Sequence, residues 1–304
     1  MYMEKEEQEN TKPSKPTIKH LVIGGGGTYG FQAFGILVEL REKGFWKTEN
    51  LVSCHGTSIG VILIVMMLLP YSNTELSDYF IHRPWHQLFK YNINQIFNAF
   101  QNSGIYDIQI FRQTLSPLLK GVDLEENITL KEFYEYTNID LHINCTDVNN
   151  YQAVDISHST HPDWTLVEAV YSSCCLPILF KPLEKDGLFY IDGGFFMNYP
   201  LIGCMDTMDK GEVLGIYKEC QLSKPMDKET TLLEYLNILL QNTGKYIDKL
   251  CVNQIDYEIE IVSPQITINE FFKFAESDHF RKEWVDLGRK IALQKLTQWE
   301  ISIE

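Results

Sequence analysis

Positive charge is scarce in this chain: 26 Lys and Arg stand against 41 Asp and Glu, a formal net charge of −15. A nucleic-acid binder would carry a basic footprint, so the balance argues against that class. It also argues against attraction to anionic lipid by charge alone, which leaves apolar insertion as the route to any membrane contact. Long apolar runs are missing too. The longest, Val61 to Leu69, falls well short of the roughly 20 residues of a membrane span. The seven cysteines contain no CxxC pair. Cys174 and Cys175 are adjacent, while Cys54, Cys145, Cys204, Cys220 and Cys251 are scattered through apolar runs. That pattern favours buried free thiols in a reducing compartment over a disulfide framework, and it offers no metal spacing. Residues 1–17 hold no apolar stretch, so a disordered polar tail is expected there and no secretory signal. A soluble, cytoplasmic protein able to sit peripherally at membranes follows as the expectation.

What is present is an ordinary globular composition, 44% hydrophobic and 22% charged over 304 residues, enough for a large core. Short apolar runs alternate with helical spacing. His20 to Ile23 reads as a buried strand ended by glycines, and Phe31 to Leu40 as a helix stopping at Gly44. Leu51 to Cys54 reads as a second strand, and Ser58 to Leu69 as a core helix stopped by Pro70. Residues 73–137 look mainly helical, with breaks at Pro84, Gly104 and Gly121. Ile139 to Cys145 and Tyr151 to Ile156 form a candidate hairpin through Asn149-Asn150. Trp164 to Ser173 is a predicted helix, and Phe189 to Ile191 and Val213 to Tyr217 are predicted strands. Leu232 to Leu250 is a predicted long helix, and Ser277-Asp278 caps a last one to about Gln298. Such alternation implies an α/β fold around a central, mostly parallel sheet flanked by helices. No linker divides the chain, so residues 18–304 are expected to form one domain, with a helical C-terminal part over 228–300.

Three motifs carry chemistry. Gly24 to Gly27 follow the first strand, and successive backbone N–H groups without side chains make an anion-binding concavity. Gly56-Thr57-Ser58-Ile59-Gly60 sets a serine on a strand-to-helix turn, where Gly56 and Gly60 permit a tight elbow. A helix start at Ser58 favours developing negative charge. Asp192-Gly193-Gly194 ends a strand with an uncrowded carboxylate that can act as a base on a neighbouring loop. A β-turn aspartate is the plainer reading of that motif alone. Gly25-x-Gly27-x-x-Gly30 also matches a dinucleotide fingerprint, but an acidic residue should then close the second strand, where His55-Gly56 stand instead.

Together the three motifs resemble the patatin-like phospholipases. Cys145-Thr146-Asp147-Val148, Ala169 through Pro177, and Asn198-Tyr199-Pro200 resemble further parts of that family, so the likeness runs from about residue 18 to 218. The resemblance implies a three-layer α/β fold and a lipid acyl hydrolase without metal or cofactor. It further implies Ser58 as nucleophile, Asp192 as base, and Gly25, Gly26 and Gly27 as the oxyanion hole. Gly30, Gly56, Gly60, Gly193 and Gly194 are its motif glycines. The implied partners are a lipid substrate and, transiently, a lipid surface. An ordinary carboxylate is a weak base, so burial is expected to raise the pKa of Asp192. Tyr29 departs from the family, which commonly has Arg or Lys there, and this favours simple esters over phospholipids.

Other residues compete for a role. His279 would complete a Ser-Asp-His order, but beside a helix cap it reads as a surface residue. His55 has a site-lining and a structural reading. The aromatics Tyr79, Phe80, Trp85, Phe89, Tyr91, Phe97 and Phe100 suit a core better than an acyl pocket or a lid, and so do Phe271, Phe272 and Phe274. A non-lipid esterase and a catalytically silent lipid- or protein-binding scaffold remain alternatives.

Overall fold

The computed structural model describes residues 16–90, 103–202, 208–218, 255–262 and 268–299, with isolated positions between 228 and 238. The expected tail and the helix expected over Leu232–Leu250 lie essentially outside the described residues.

The chain opens with β1 (His20–Ile23), α1 (Gly30–Glu42), β2 (Ser53–Thr57) and α2 (Ile59–Leu68). Next come α3 (Asn73–His82), α4 (Trp85–Leu88), β3 (Gly104–Tyr106), α5 (Gln109–Lys120) and α6 (Leu130–Thr137). Then follow β4 (Asp140–Asp147), β5 (Gln152–Ile156), α7 (Leu166–Cys174), β6 (Ile178–Phe180), β7 (Leu183–Lys185) and β8 (Leu188–Asp192). Among the described residues β9 (Val213–Lys218), β10 (Tyr257–Ile261), α8 (Ile268–Glu276) and α9 (Asp278–Gln298) complete the order.

The helices begin where side chains can satisfy free N–H groups. Ser72 with Glu75, Thr129 with Glu132 and Thr165 with Glu168 form reciprocal capping boxes on α3, α6 and α7. Ser277 caps α9, which ends at Gln298 as its sequence pattern predicts. α2 is apolar on every side because it is a core helix; Leu63 and Ile64 are fully buried, each contributing about 1.5–3 kcal/mol. α9 lies against α1 with backbones nearly touching: a Cβ on Gly35 would sit 2.1 Å from the Val285 carbonyl oxygen. Arg289 at the same contact pairs with Glu39 and Glu42, each at 2.7 Å.

The main sheet pairs in the order β10-β9-β1-β2-β4-β8-β7, with β5 also on β4. The pairings from β10 through β4 are parallel, while β5, β8 and β7 join antiparallel. This is a mixed α/β fold with a mostly parallel sheet flanked by helices. The predicted second strand is displaced: it runs Ser53–Thr57 rather than Leu51–Cys54, because β1 and β4 on either side hold it in register through the polar His55 and Thr57. β3, β6 and β7 are too short to give a sequence signal, while the alternation Tyr257 to Ile261 of β10 is a strand signal that sequence reasoning missed.

One detail of register brings the motifs together. Ile143 and Asn144 pair with β2 on one edge of β4 and with β5 on the other. Cys145 to Asp147 pair with β5 and with β8. β8 therefore occupies the edge that β2 leaves. Thr57 lies opposite Asn144 and Asp192 opposite Cys145, so two strands running in opposite directions end head to head.

Candidate active site

Ser58 stands between β2 and α2 at φ 54° and ψ −128°, a backbone conformation that side chains other than glycine rarely adopt. The turn is tight enough that a Cβ on Gly60 would lie 2.3 Å from the Ile23 carbonyl oxygen. On Gly56 it would lie 3.0 Å from the Val61 nitrogen. Gly30 makes room for Ile59, whose Cγ1 would sit 2.2 Å from any Cβ there. The Ser58 N–H donates to Ser173 Oγ at 2.9 Å, and Ser173 Oγ donates in turn to the Asn144 carbonyl at 2.5 Å. Ser173 thereby ties the elbow to β4. The small-residue patch of α7 was visible in the sequence, but this role was not.

Asp192 receives the Ser58 hydroxyl on Oδ2 at 2.6 Å and the Gly194 N–H on Oδ1 at 2.8 Å. Thr146 Oγ1 donates to the Asp192 carbonyl at 3.1 Å and holds its backbone. Gly193 allows close passage, since a Cβ there would meet the Asn144 carbonyl oxygen at 2.2 Å. The carboxyl is buried, and the described residues place no cation beside it. Burial therefore favours the neutral acid and pushes the pKa up to about 6, against the pull of the Ser58 and Gly194 hydrogen bonds.

The glycine run lies alongside. Gly25 abuts the nucleophile: a Cβ on it would sit 3.1 Å from Ser58 Cβ and 2.5 Å from Asn198 Oδ1. Its N–H donates to the Asn198 carbonyl at 3.0 Å, and Asn198 Nδ2 returns a bond to the Gly25 carbonyl at 3.3 Å. Gly24 N–H is likewise engaged, by Ile216. Among the described residues the N–H groups of Gly26 and Gly27 meet no acceptor, and Gly27 is left-handed at φ 57°. Tyr29 is buried against Trp284, with the Lys218 ammonium 4.1 Å from its ring centre.

Behind Ser58 and Gly27 opens a cavity of about 150 Å³. Phe80, Trp85, Phe89 and Phe274 are among its walls, and Ser58, Thr28 and Thr114 are its polar lining. Phe80, Trp85 and Phe274 are buried in the core as expected, and the same side chains also form walls of the cavity. Tyr91, Phe97 and Phe100 lie outside the described residues. His279 lies on an exposed part of α9, 3.4 Å from Glu283. His55 bonds Ser53 Oγ at 3.0 Å and stacks on His142, and burial first, then the nearby histidines, pull its pKa down to about 3. Cys54, Cys145, Cys174 and Cys175 are buried free thiols. Among the described residues no helix is long and apolar enough to cross a membrane.

The family model for patatin-like phospholipase matches residues 21–205. The chain belongs to the patatin-like phospholipase family. It is 26% identical over 205 residues to uncharacterized protein R571 of Acanthamoeba polyphaga mimivirus, covering 66% of this chain and 67% of that protein. It is 23% identical over 185 residues to probable lipid hydrolase 463L of Invertebrate iridescent virus 6, covering 60% of this chain and 62% of the relative. In fold it resembles VipD from Legionella pneumophila, with a TM-score of 0.54 at 16% identity, covering 94% of this chain and 68% of that one.

Proposed function

We propose that this protein is a lipid acyl hydrolase that cleaves carboxylic esters of glycerolipids through an acyl-enzyme on Ser58, with Asp192 as base. The observation that carries the reading is the 2.6 Å bond from Ser58 Oγ to a buried carboxylate, beside an apolar cavity. Family membership and the viral relative named a probable lipid hydrolase support the substrate class.

In this mechanism Asp192 takes the Ser58 proton as Oγ attacks the ester carbonyl. The oxyanion forms against the glycine run, where Gly26 and Gly27 have N–H groups to donate and Gly25 gives the close approach. Asp192 then protonates the leaving alcohol, deprotonates a water, and the attack of that water frees the fatty acid. A pKa near 6 keeps Asp192 ionised at pH 7 yet more basic than an ordinary carboxylate. The cavity takes the acyl chain. The packing of α9 on α1 supports treating residues 18–304 as one hydrolase domain.

A lipid surface would meet the exposed side chains next to Asp192. Tyr151 and Phe189 are 64% and 40% exposed, and Tyr151 packs on Phe195 and Phe196 immediately after the Asp-Gly-Gly turn. With a net charge of −15, an uncharged or zwitterionic surface suits them better than an anionic one. The second reading, a non-lipid carboxylesterase, is favoured by the uncharged Tyr29 in the glycine motif, against which the Lys218 ammonium 4.1 Å from its ring centre must be weighed.

The test is fatty-acid release from mixed phospholipid and neutral-lipid vesicles by wild type, Ser58→Ala and Asp192→Asn, with chelator present. Release by wild type and loss in both variants is expected. Cleavage of a short soluble ester through Ser58 without fatty-acid release would select the second reading.

A further inference from the structure

Arg281 is a cation with 2% of its surface exposed, and its described hydrogen bonds all go to backbone carbonyls. Nε donates to Ile81 at 2.6 Å and Nη2 to Arg83 at 3.3 Å. Nη1 donates to Phe274 at 2.5 Å and to Ala275 at 3.1 Å. The first two carbonyls lie at the C-terminal end of α3, and the other two in the last turn of α8. Carbonyls at a helix C-terminus lack partners within the helix and carry the negative end of its dipole, so a cation is favourable there. A guanidinium fork with five donors in fixed geometry spans two helix ends better than the three donors of a compact ammonium.

Those two ends carry neighbouring parts of the wall of the cavity behind Ser58. Phe80 and Trp85 flank the carbonyls on the α3 side, and Trp85 Nε1 donates to the Phe80 carbonyl at 2.9 Å. Phe274 and Ala275 are themselves wall residues. Phe31 packs on both, its ring centre 4.5 Å from Phe80 and 5.9 Å from Phe274. Separation of the helix ends would open the cavity along this row of rings.

We infer that Arg281 is a positioning residue that clasps the ends of α3 and α8, sets the width of the cavity, and so determines which single aliphatic chains it accepts. The inference rests on the acyl-hydrolase reading for the identity of the chain. Because α8 and Arg281 lie beyond residue 205, the clasp joins a later segment to cavity walls that lie within the family-matched part.

The test is equilibrium binding in Ser58→Ala protein, where no turnover intervenes. Quenching of tryptophan fluorescence by dodecanoate brominated at its terminal carbon reports occupancy, and Trp85→Phe assigns the signal. Binding of unlabelled butyrate, read by displacement, gives the short-chain reference. Arg281→Lys is expected to weaken dodecanoate by about tenfold, the scale of a misfitted methylene in an apolar pocket, and butyrate by much less. A purely structural role would weaken both alike, and that result overturns the inference. So does an unchanged ratio, or no quenching in the Ser58→Ala protein. If Arg281→Lys fails to fold, Ala275→Leu narrows the same clasped wall, and unchanged dodecanoate binding in that variant overturns the inference. Labelling of wild-type Ser58 by a fluorophosphonate is scored separately. Labelling without chain binding sinks the clasp alone, and chain binding without labelling sinks the hydrolase reading alone.

Discussion

β2 carries two polar centres three residues apart, and they are opposite in kind. At its middle, His55 stacks on His142, which reaches Asp155 at 2.7 Å and Asp140 at 3.3 Å, while His158 adds a second contact to Asp140 at 3.0 Å. Burial alone would lower the pKa of His142, but the hydrogen bonds and charges of Asp140 and Asp155 outweigh it and raise it to about 9. Just past its end, Ser58 meets Asp192, a buried carboxylate beside which the described residues place no cation, pushed up to about 6. The first centre compensates its own charge and has structural work to do. The second has an uncompensated acid, a strained serine and a cavity. A cluster of titratable groups is thus no mark of function by itself; imbalance beside a space for a ligand is.

The sharpest way to break the contrast is at the second centre. Ser58→Ala is expected to lower ester hydrolysis by at least about 10³-fold while the fold is kept, checked by initial rates and a thermal melt. Asp192→Asn should lose about 10³-fold or more and remove the acid limb of the profile. In wild type kcat/KM should fall about tenfold per pH unit below about 6, because the protonated acid cannot accept the serine proton. The same substitution tests stability. A raised carboxyl pKa means that the folded state holds its proton longer than the unfolded chain, so stability is lost as pH rises from the ordinary carboxylate range through about 6. Asp192→Asn should therefore be more stable than wild type at pH 7, by up to about 3 kcal/mol.

Smaller effects are expected elsewhere. Tyr151→Ser with Phe189→Ser should reduce release from zwitterionic vesicles several-fold, and cleavage of a soluble ester by less. His142→Gln should cost about 1–2 kcal/mol near pH 6 in denaturant titrations, with hydrolysis changed less than about twofold. Its contribution is present below the unfolded value of 6.5 and is lost as pH rises through about 9, the same direction as Asp192 but over a higher pH window. His279→Ala should leave the pH profile unmoved; loss of a limb would reinstate a histidine base.

The parts of the site legible in the sequence are those written in consecutive residues. The glycine run, the serine elbow and the Asp-Gly-Gly turn each require side chains to be absent at fixed spacing, and that shows in one dimension. Ser173, Thr146 and the meeting of β2 with β8 on one edge of β4 do not, because each depends on pairings across 46 to 134 positions. His55 and Thr57 look like loop residues until β1 and β4 are seen to hold them in a strand. The cavity was illegible for a related reason: an aromatic that packs a core and one that lines a pocket have the same spacing on a helix. Only the position of Phe80 and Trp85 relative to Ser58 separates the two. Arg281 reads as a surface charge in α9 until its carbonyl partners, from about 6 to 200 positions away, are known.

The most direct measurement is the second-order rate of fluorophosphonate attachment to Ser58 as a function of pH, in wild type and in Asp192→Asn. The account predicts a single limb near pH 6 in wild type, and a rate about 10³-fold lower with no such limb in the variant. Attachment that ignores the loss of the carboxylate, or no attachment to folded wild type, would contradict it.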